Sequence, residues 1–183
     1  DWALHMDEFI RDKKQVDVIL LAAVLEHLTV NERVNVLRGA WELLVPGGIM
    51  VIYETPNRLN FYDWHTFLMP FFHWLPDELA LTYSSRTTRK LLQGGAGSID
   101  KLYRLGRGVS FHEFDLALDW EEIAVLNDGY SSLIPQPEDT EDLEFEKKLY
   151  SLLQKYVPHV PRGFARPNLD FVLQKVVRAK AKP

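Results

Sequence analysis

Residues 16–23, VDVILLAA, are an almost unbroken aliphatic run interrupted only by Asp17. A run of this kind predicts a strand covered on both faces, as the parallel strands of α/β proteins are. Over 31–44 the pattern changes. Val34, Leu37, Trp41 and Leu44 recur at intervals of three and four, which sets them on one face of a helix capped by Thr29 or Asn31. Pro46-Gly47-Gly48 is expected to end that helix, because proline cannot continue it and glycine permits a sharp reversal. Residues 49–53 then read as a second strand. Strand, helix, strand with short links is a βαβ unit, whose crossover makes the two strands parallel neighbours. Ligands of such sheets lie beyond the carboxyl ends of the strands, so 22–27 and 54–58 are expected on one rim.

From 57 to about 107 the periodicity weakens. The stretch 60–76 is crowded with rings: Phe61, Tyr62, Trp64, Phe67, Phe71, Phe72 and Trp74, with His65 and His73 between them. Core packing of an insertion, a lid over an apolar ligand and an interface are all open to it. Core packing is the plain expectation, since aromatics dominate packing generally. A helix start is expected over 84–90 and a flexible break at Gly94-Gly95-Ala96-Gly97. Residues 110–118 predict a helix, with Glu113 three residues after Ser110 as in a capping box. Residues 122–126 predict a short strand ended by Asn127-Asp128-Gly129, 139–156 an amphipathic helix with an acidic first turn, and 169–177 a closing strand.

The chain has 183 residues, enough for one self-supporting domain, and is 46% hydrophobic, a composition that does not suggest disorder. A net charge of -5 argues against a protein whose main work is neutralising nucleic-acid phosphates. The absence of cysteine removes disulfides, thiolate ligands and a cysteine nucleophile, and fits a cytoplasmic protein. No apolar run approaches the ~20 residues of a membrane span, so no membrane partner is expected.

Two stretches in order, VDVILLAAVLEHL and LLVPGGIMVIYETPNR, with HWLP and GRGVSFHEF as weaker company, resemble the second half of a class I S-adenosylmethionine-dependent methyltransferase of the small-molecule O- and N-methylating group. The resemblance implies a Rossmann-like α/β fold in which 16–23, 49–53, 122–126 and 169–177 are the fourth to seventh strands, the last of them antiparallel. It also implies a single partial domain over 1–183, with a helical cap at 59–108 inserted between the fifth and sixth strands. The first three strands, the glycine-rich cofactor loop and the ribose-binding acid of the family have no counterpart. The chain therefore reads either as a fragment of a complete enzyme or as a catalytically silent half-domain that acts as an interaction module. In the second case the open edge of the strand at 16–23 invites association, a homodimer included. A nicotinamide-dependent oxidoreductase is the weaker alternative, since it needs a G-x-G-x-x-G fingerprint that this chain lacks.

By the same resemblance S-adenosylmethionine would be contacted by Asp1, Trp2, Ala22, Ala23, Val24 and Leu25. A small-molecule acceptor would be contacted by Glu26, Asn57, Arg58 and His112. Methyl transfer has a good leaving group, so alignment and exclusion of water do most of the work, and one general base takes the acceptor's proton. Histidine suits that task near neutral pH, and His27, His65 and His73 are the candidates. Some catechol-type relatives bind a divalent metal through Glu, two residues, then Glu-His; here the leading position is Ala23, so no metal is expected. Each of these residues also has a plain structural reading: a helix-start acid at Glu26, a backbone-bonding amide at Asn57, a surface ion pair at Arg58.

Overall fold

A computed structural model describes residues 15–87, 89, 92, 97–127 and 140–176. Asp1, Trp2, the break at 94–96 and the turn at 128–129 lie outside the described residues. Four strands, β1 (Val16–Ala22), β2 (Leu44–Pro56), β3 (Ile123–Asn127) and β4 (Asn168–Lys175), form one open sheet in the order β1-β2-β4-β3. β1 and β2 are parallel, and β4 runs antiparallel to both β2 and β3. Five α-helices accompany the sheet among the described residues: α1 (Val30–Leu43), α2 (Asp77–Ser84), α3 (Ile99–Arg104), α4 (Phe111–Ala117) and α5 (Thr140–Tyr156). This is a mixed α/β fold. None of these helices is long and apolar enough to cross a membrane.

Each element follows from its local chemistry. Thr29 and Glu32 close a capping box at the start of α1, and Ser110 and Glu113 close another at the start of α4, so orphan N–H groups are satisfied at both helix starts. α1 buries Val36, Leu37, Ala40 and Trp41 against the sheet. On the sheet's core side Phe114, Phe164 and Phe171 pack with ring centroids 4.8–5.5 Å apart. A second, smaller core of Phe67, Phe72, Ala80, Leu92 and Leu102 lies in the segment between β2 and α4, which forms a cap carrying α2 and α3.

Several expectations need correction. β1 is not covered on both faces: Val18 and Leu20, which share a face by strand alternation, are 56% and 61% exposed. Pro46-Gly47-Gly48 does not separate helix from strand. The strand resumes at Leu44, and the three residues sit in a bulge where the register jumps from Val16 opposite Leu44 to Val18 opposite Ile49. Gly48 is obligatory there, because a Cβ would meet the Val45 and Asp17 carbonyl oxygens at 2.9 and 3.0 Å. Ser84 ends α2 rather than opening a helix. The ring-rich stretch divides: Phe67 and Phe72 are core, whereas Trp64, Phe71 and Trp74 are each more than half exposed. Of these exposed rings Phe71 lines an apolar groove of about 340 Å³, together with Met69, Pro70, Leu75, Leu79 and Tyr83.

Candidate functional site

The carboxyl ends of β1 and β2 are adjacent, with Ala22 opposite Tyr53, and Ala23 N–H donates to the Tyr53 carbonyl at 2.9 Å. The next residue on each strand is left-handed: Ala23 has φ 50° and Glu54 φ 55°. Residues with a Cβ adopt this conformation at a cost of about 1 kcal/mol or more each. Ala23 lies just past the end of β1, and Glu54 lies where the β2–β4 register shifts, two residues before β2 ends at Pro56, so the two positions stand side by side where the β1–β2 pairing stops. Glu54 is held there by its N–H, which donates to Asp170 Oδ1 at 2.7 Å. Burial raises the Asp170 carboxyl above its ordinary pKa.

After β1 the chain makes a single 3₁₀ turn, Leu25–His27, that carries Glu26 inward. The turn is braced by Arg33, a fully buried arginine on α1. Its guanidinium donates to the carbonyls of Leu25 at 2.8 Å, Gly108 at 2.6 Å and Glu26 at 3.3 Å, and to Glu113 Oε1 at 3.0 Å. The Arg107 N–H adds a third tie to the turn itself, to the Glu26 carbonyl at 3.1 Å. The Glu26 carboxylate is wholly buried, yet neither of its oxygens has a hydrogen-bond partner. Burial raises its pKa above the usual carboxylate range, against the pull of His27 and Arg33.

Two histidines face this carboxylate. His27 Nε2 lies 3.6 Å from Glu26 Oε1, and its ring meets that of His65 edge-on at 5.6 Å between centroids. His65 comes from the cap, so the cluster joins the sheet rim to the insertion. Hydrogen bonding sets both tautomers. His27 Nδ1 is 3.0 Å from the Arg104 carbonyl, which only accepts, so Nδ1 carries the proton. His65 Nδ1 is 2.9 Å from Thr66 Oγ1, whose own hydrogen goes to the Leu105 or Gly106 carbonyl at 2.9 or 2.8 Å. Thr66 Oγ1 therefore accepts from His65 Nδ1, and both rings keep a free lone pair on Nε2. Burial and the neighbouring His27 lower the His65 pKa, favouring the neutral ring. One ligand-capable atom from each of Glu26, His27 and His65 lies within 4.8 Å of the others.

The remaining candidates are placed elsewhere. Leu25 is fully buried in the main core; Ala22 and Val24 are half-buried, and Ala23 is exposed. The Asn57 side-chain amide donates to the Phe164 and Arg166 carbonyls at 2.6 and 2.7 Å and its oxygen accepts from Leu59 N–H, so its work is to pin the strand end. Arg58 is held in a second cluster, 3.1 Å from both Asp77 Oδ1 and the Tyr103 hydroxyl, and shares Asp77 with the buried Arg107. His73 is buried within the cap, with Nε2 3.6 Å from Asp63 Oδ1, and desolvation lowers its pKa to about 4. It does not belong to the Glu26 cluster. His112 is exposed, bonded to Ser110 Oγ at 3.1 Å and stacked on Phe111.

Sequence reasoning missed Arg33, Thr66, Asp63 and Arg107. Arg33 had a legible sign: it stands on the stripe of Val36, Leu37 and Ala40, and in the first turn of a helix whose dipole disfavours a cation. No protein-family model matches the chain, and no curated protein matches its sequence.

Proposed function

We propose that this chain carries the acceptor side of an S-adenosylmethionine-dependent methyltransferase acting on a small molecule at oxygen or nitrogen, within a Rossmann-like sheet. The observation that carries the reading is the sheet itself. The pairing of two parallel strands stops beside two left-handed residues, Ala23 and Glu54, an antiparallel β4 lies beside β2, and a helical cap is inserted before β3. The resemblance in VDVILLAAVLEHL and LLVPGGIMVIYETPNR asks for this arrangement of the parallel pair, the cap and the antiparallel last strand.

When bound, S-adenosylmethionine supplies a methyl group on a positively charged sulfur that leaves as a neutral thioether. The residues suited to lie against it are Ala22 and the exposed Ala23, whose short side chains leave the end of β1 open. Glu26, His27 and His65 face the same rim, where they orient the acceptor's reacting atom and dispose of its proton. The apolar groove starts at Met69, four residues along from His65, and suits the acceptor's hydrophobic part.

Calorimetric titration of S-adenosylmethionine and S-adenosylhomocysteine tests this, using both the chain and the complete product of the gene that encodes it. Micromolar binding supports the reading, and no binding by either form refutes it. A second reading, a silent interaction module, is favoured by the exposed Val18 and Leu20 on β1, an edge strand among the described residues. That module would bind neither compound and would self-associate or require a partner chain.

A further inference from the structure

The geometry points to a divalent transition-metal site made by Glu26, His27 and His65, with Zn²⁺ as the probe ion of choice. Three observations carry it, and none depends on methyl transfer. The first is the state of Glu26. Other buried ionic groups among the described residues are bonded: Arg33 has four acceptors, Asp63 accepts from the backbone N–H groups of His65, Thr66 and Phe67, and Glu113 is bonded to Arg33 and Ser110. Among the described residues Glu26 is the one carboxylate with both oxygens buried and unpartnered. A buried charge is costly unless paired or coordinated, and a cation supplies what the protein leaves out.

The second observation is the donor set. His27 Nε2 faces the carboxylate at 3.6 Å, a ring nitrogen of His65 lies within 4.8 Å of it, and each Nδ1–H is anchored, on the Arg104 carbonyl and on Thr66 Oγ1. Metal-ligating histidines are oriented in this way, by a hydrogen bond from the nitrogen that does not bind the ion. Two imidazoles and a carboxylate suit a first-row transition ion better than Mg²⁺ or Ca²⁺, which prefer oxygen. Three protein ligands leave further positions open, and the His27 side chain is 43% exposed, so water or a substrate oxygen has access.

The third is the fit. Ligand atoms that share an ion at ~2.1 Å each stand no more than ~4.2 Å apart. The His27–Glu26 pair at 3.6 Å already meets this, and the widest separation allowed by the cluster, 4.8 Å, closes with a small ring movement. Gly106 backs the site: with φ +102°, a Cβ there would lie 2.6 Å from His65 Nδ1 and 2.9 Å from Thr66 Oγ1. The sequence expectation of no metal rested on Ala23 in the leading position. The third ligand comes instead from His65, 38 residues beyond His27 in the chain.

The test is titration of the chelator-stripped chain with Zn²⁺ by calorimetry and with Co²⁺ by visible absorption, alongside melting with and without ion. The expected result is one saturable site per chain of micromolar affinity or better, and a melting temperature that rises with ion concentration. Glu26→Gln should weaken binding more than tenfold while leaving the ion-free melting temperature equal or higher, since the amide needs no charge desolvated. His65→Ala, a change in the cap, should weaken binding similarly. Absence of saturable binding overturns the site. So does binding unchanged in both variants, which would place the ion elsewhere, for example at His159 or His112.

Discussion

His73 provides a quantitative test of how the cap is built. The ring is buried, with its Nδ1 unpartnered and Nε2 3.6 Å from Asp63, while Arg107, Arg58 and His65 oppose a second positive charge beside it. Its pKa is lowered to about 4, chiefly by desolvation, from an ordinary 6.5. Between those values the unfolded chain binds a proton that the folded chain does not. The contribution is therefore complete above pH 6.5 and is lost as pH falls through the window toward 4. The full gap is worth ~3 kcal/mol, of which about 2 kcal/mol is lost on going from pH 7 to pH 5. Glu26 and Asp170, whose carboxyls are shifted upward, change stability in the opposite sense as pH falls, so the wild-type profile alone does not isolate His73. The comparison is wild type against His73→Gln by urea denaturation from pH 5 to 7.5. The stability of wild type minus that of the variant should fall by about 2 kcal/mol from pH 7 to pH 5, whatever its sign and size at pH 7. A difference that stays constant over this range would refute a neutral, desolvated His73.

Arg33→Met should destabilise the chain by about 3–5 kcal/mol in chemical denaturation, because it leaves Glu113 and three carbonyls without their partner in the interior. Asn57→Ala should cost about 3 kcal/mol by the same assay, for the two carbonyls after the Arg162–Ala165 turn and at its end that lose their donor. Gly106→Ala should keep the far-ultraviolet circular dichroism of the wild type but lower Zn²⁺ affinity at least tenfold, because the new Cβ displaces His65 and Thr66.

The sheet was legible where a local period carried the information. An aliphatic run, a three-four stripe behind an N-cap residue and one capping box specify β1, α1 and α4 within a residue or two, because the forces that form them act over one turn or one strand. The bulge at Pro46-Gly47-Gly48 was not legible. Whether such a tripeptide ends a helix or kinks a strand depends on how soon the neighbouring strand takes up its N–H groups, and β1 does so at Leu44. The direction of β4 is likewise outside any period of its own sequence; it came from resemblance, and the pairing with β2 and β3 bears it out.

The site divides along the same line. Glu26 and His27 follow β1 directly and were found; their surroundings were not, because those come from three distant segments that meet at the Leu25–His27 turn. Arg33 reaches it from α1, Arg104 from α3 donates to the His27 carbonyl and to Glu32, and Thr66 with Gly106 fixes His65 from the cap. Each contact sets one property that sequence spacing leaves open: how far Glu26 is drawn from water, which nitrogen of His27 bears the proton, and where the second imidazole stands. A histidine in a ring-rich loop and a glutamate after a strand are ordinary features taken singly. Their chemistry arises because the cap is tied to α1 through Arg104 and Glu32 at 2.7 Å, an ion pair that ties the cap helix carrying Arg104 to the α1 end beside the His27 turn. Arg104→Ala, which removes that tie while retaining the Arg104 carbonyl bond to His27, should therefore weaken Zn²⁺ binding by loosening the cap rather than by removing a ligand. Its signature would be a lower affinity with an unchanged Co²⁺ spectrum at saturation. An altered spectrum would mean that the ligand set itself had changed, and that this account of the cap as a positioning element is wrong.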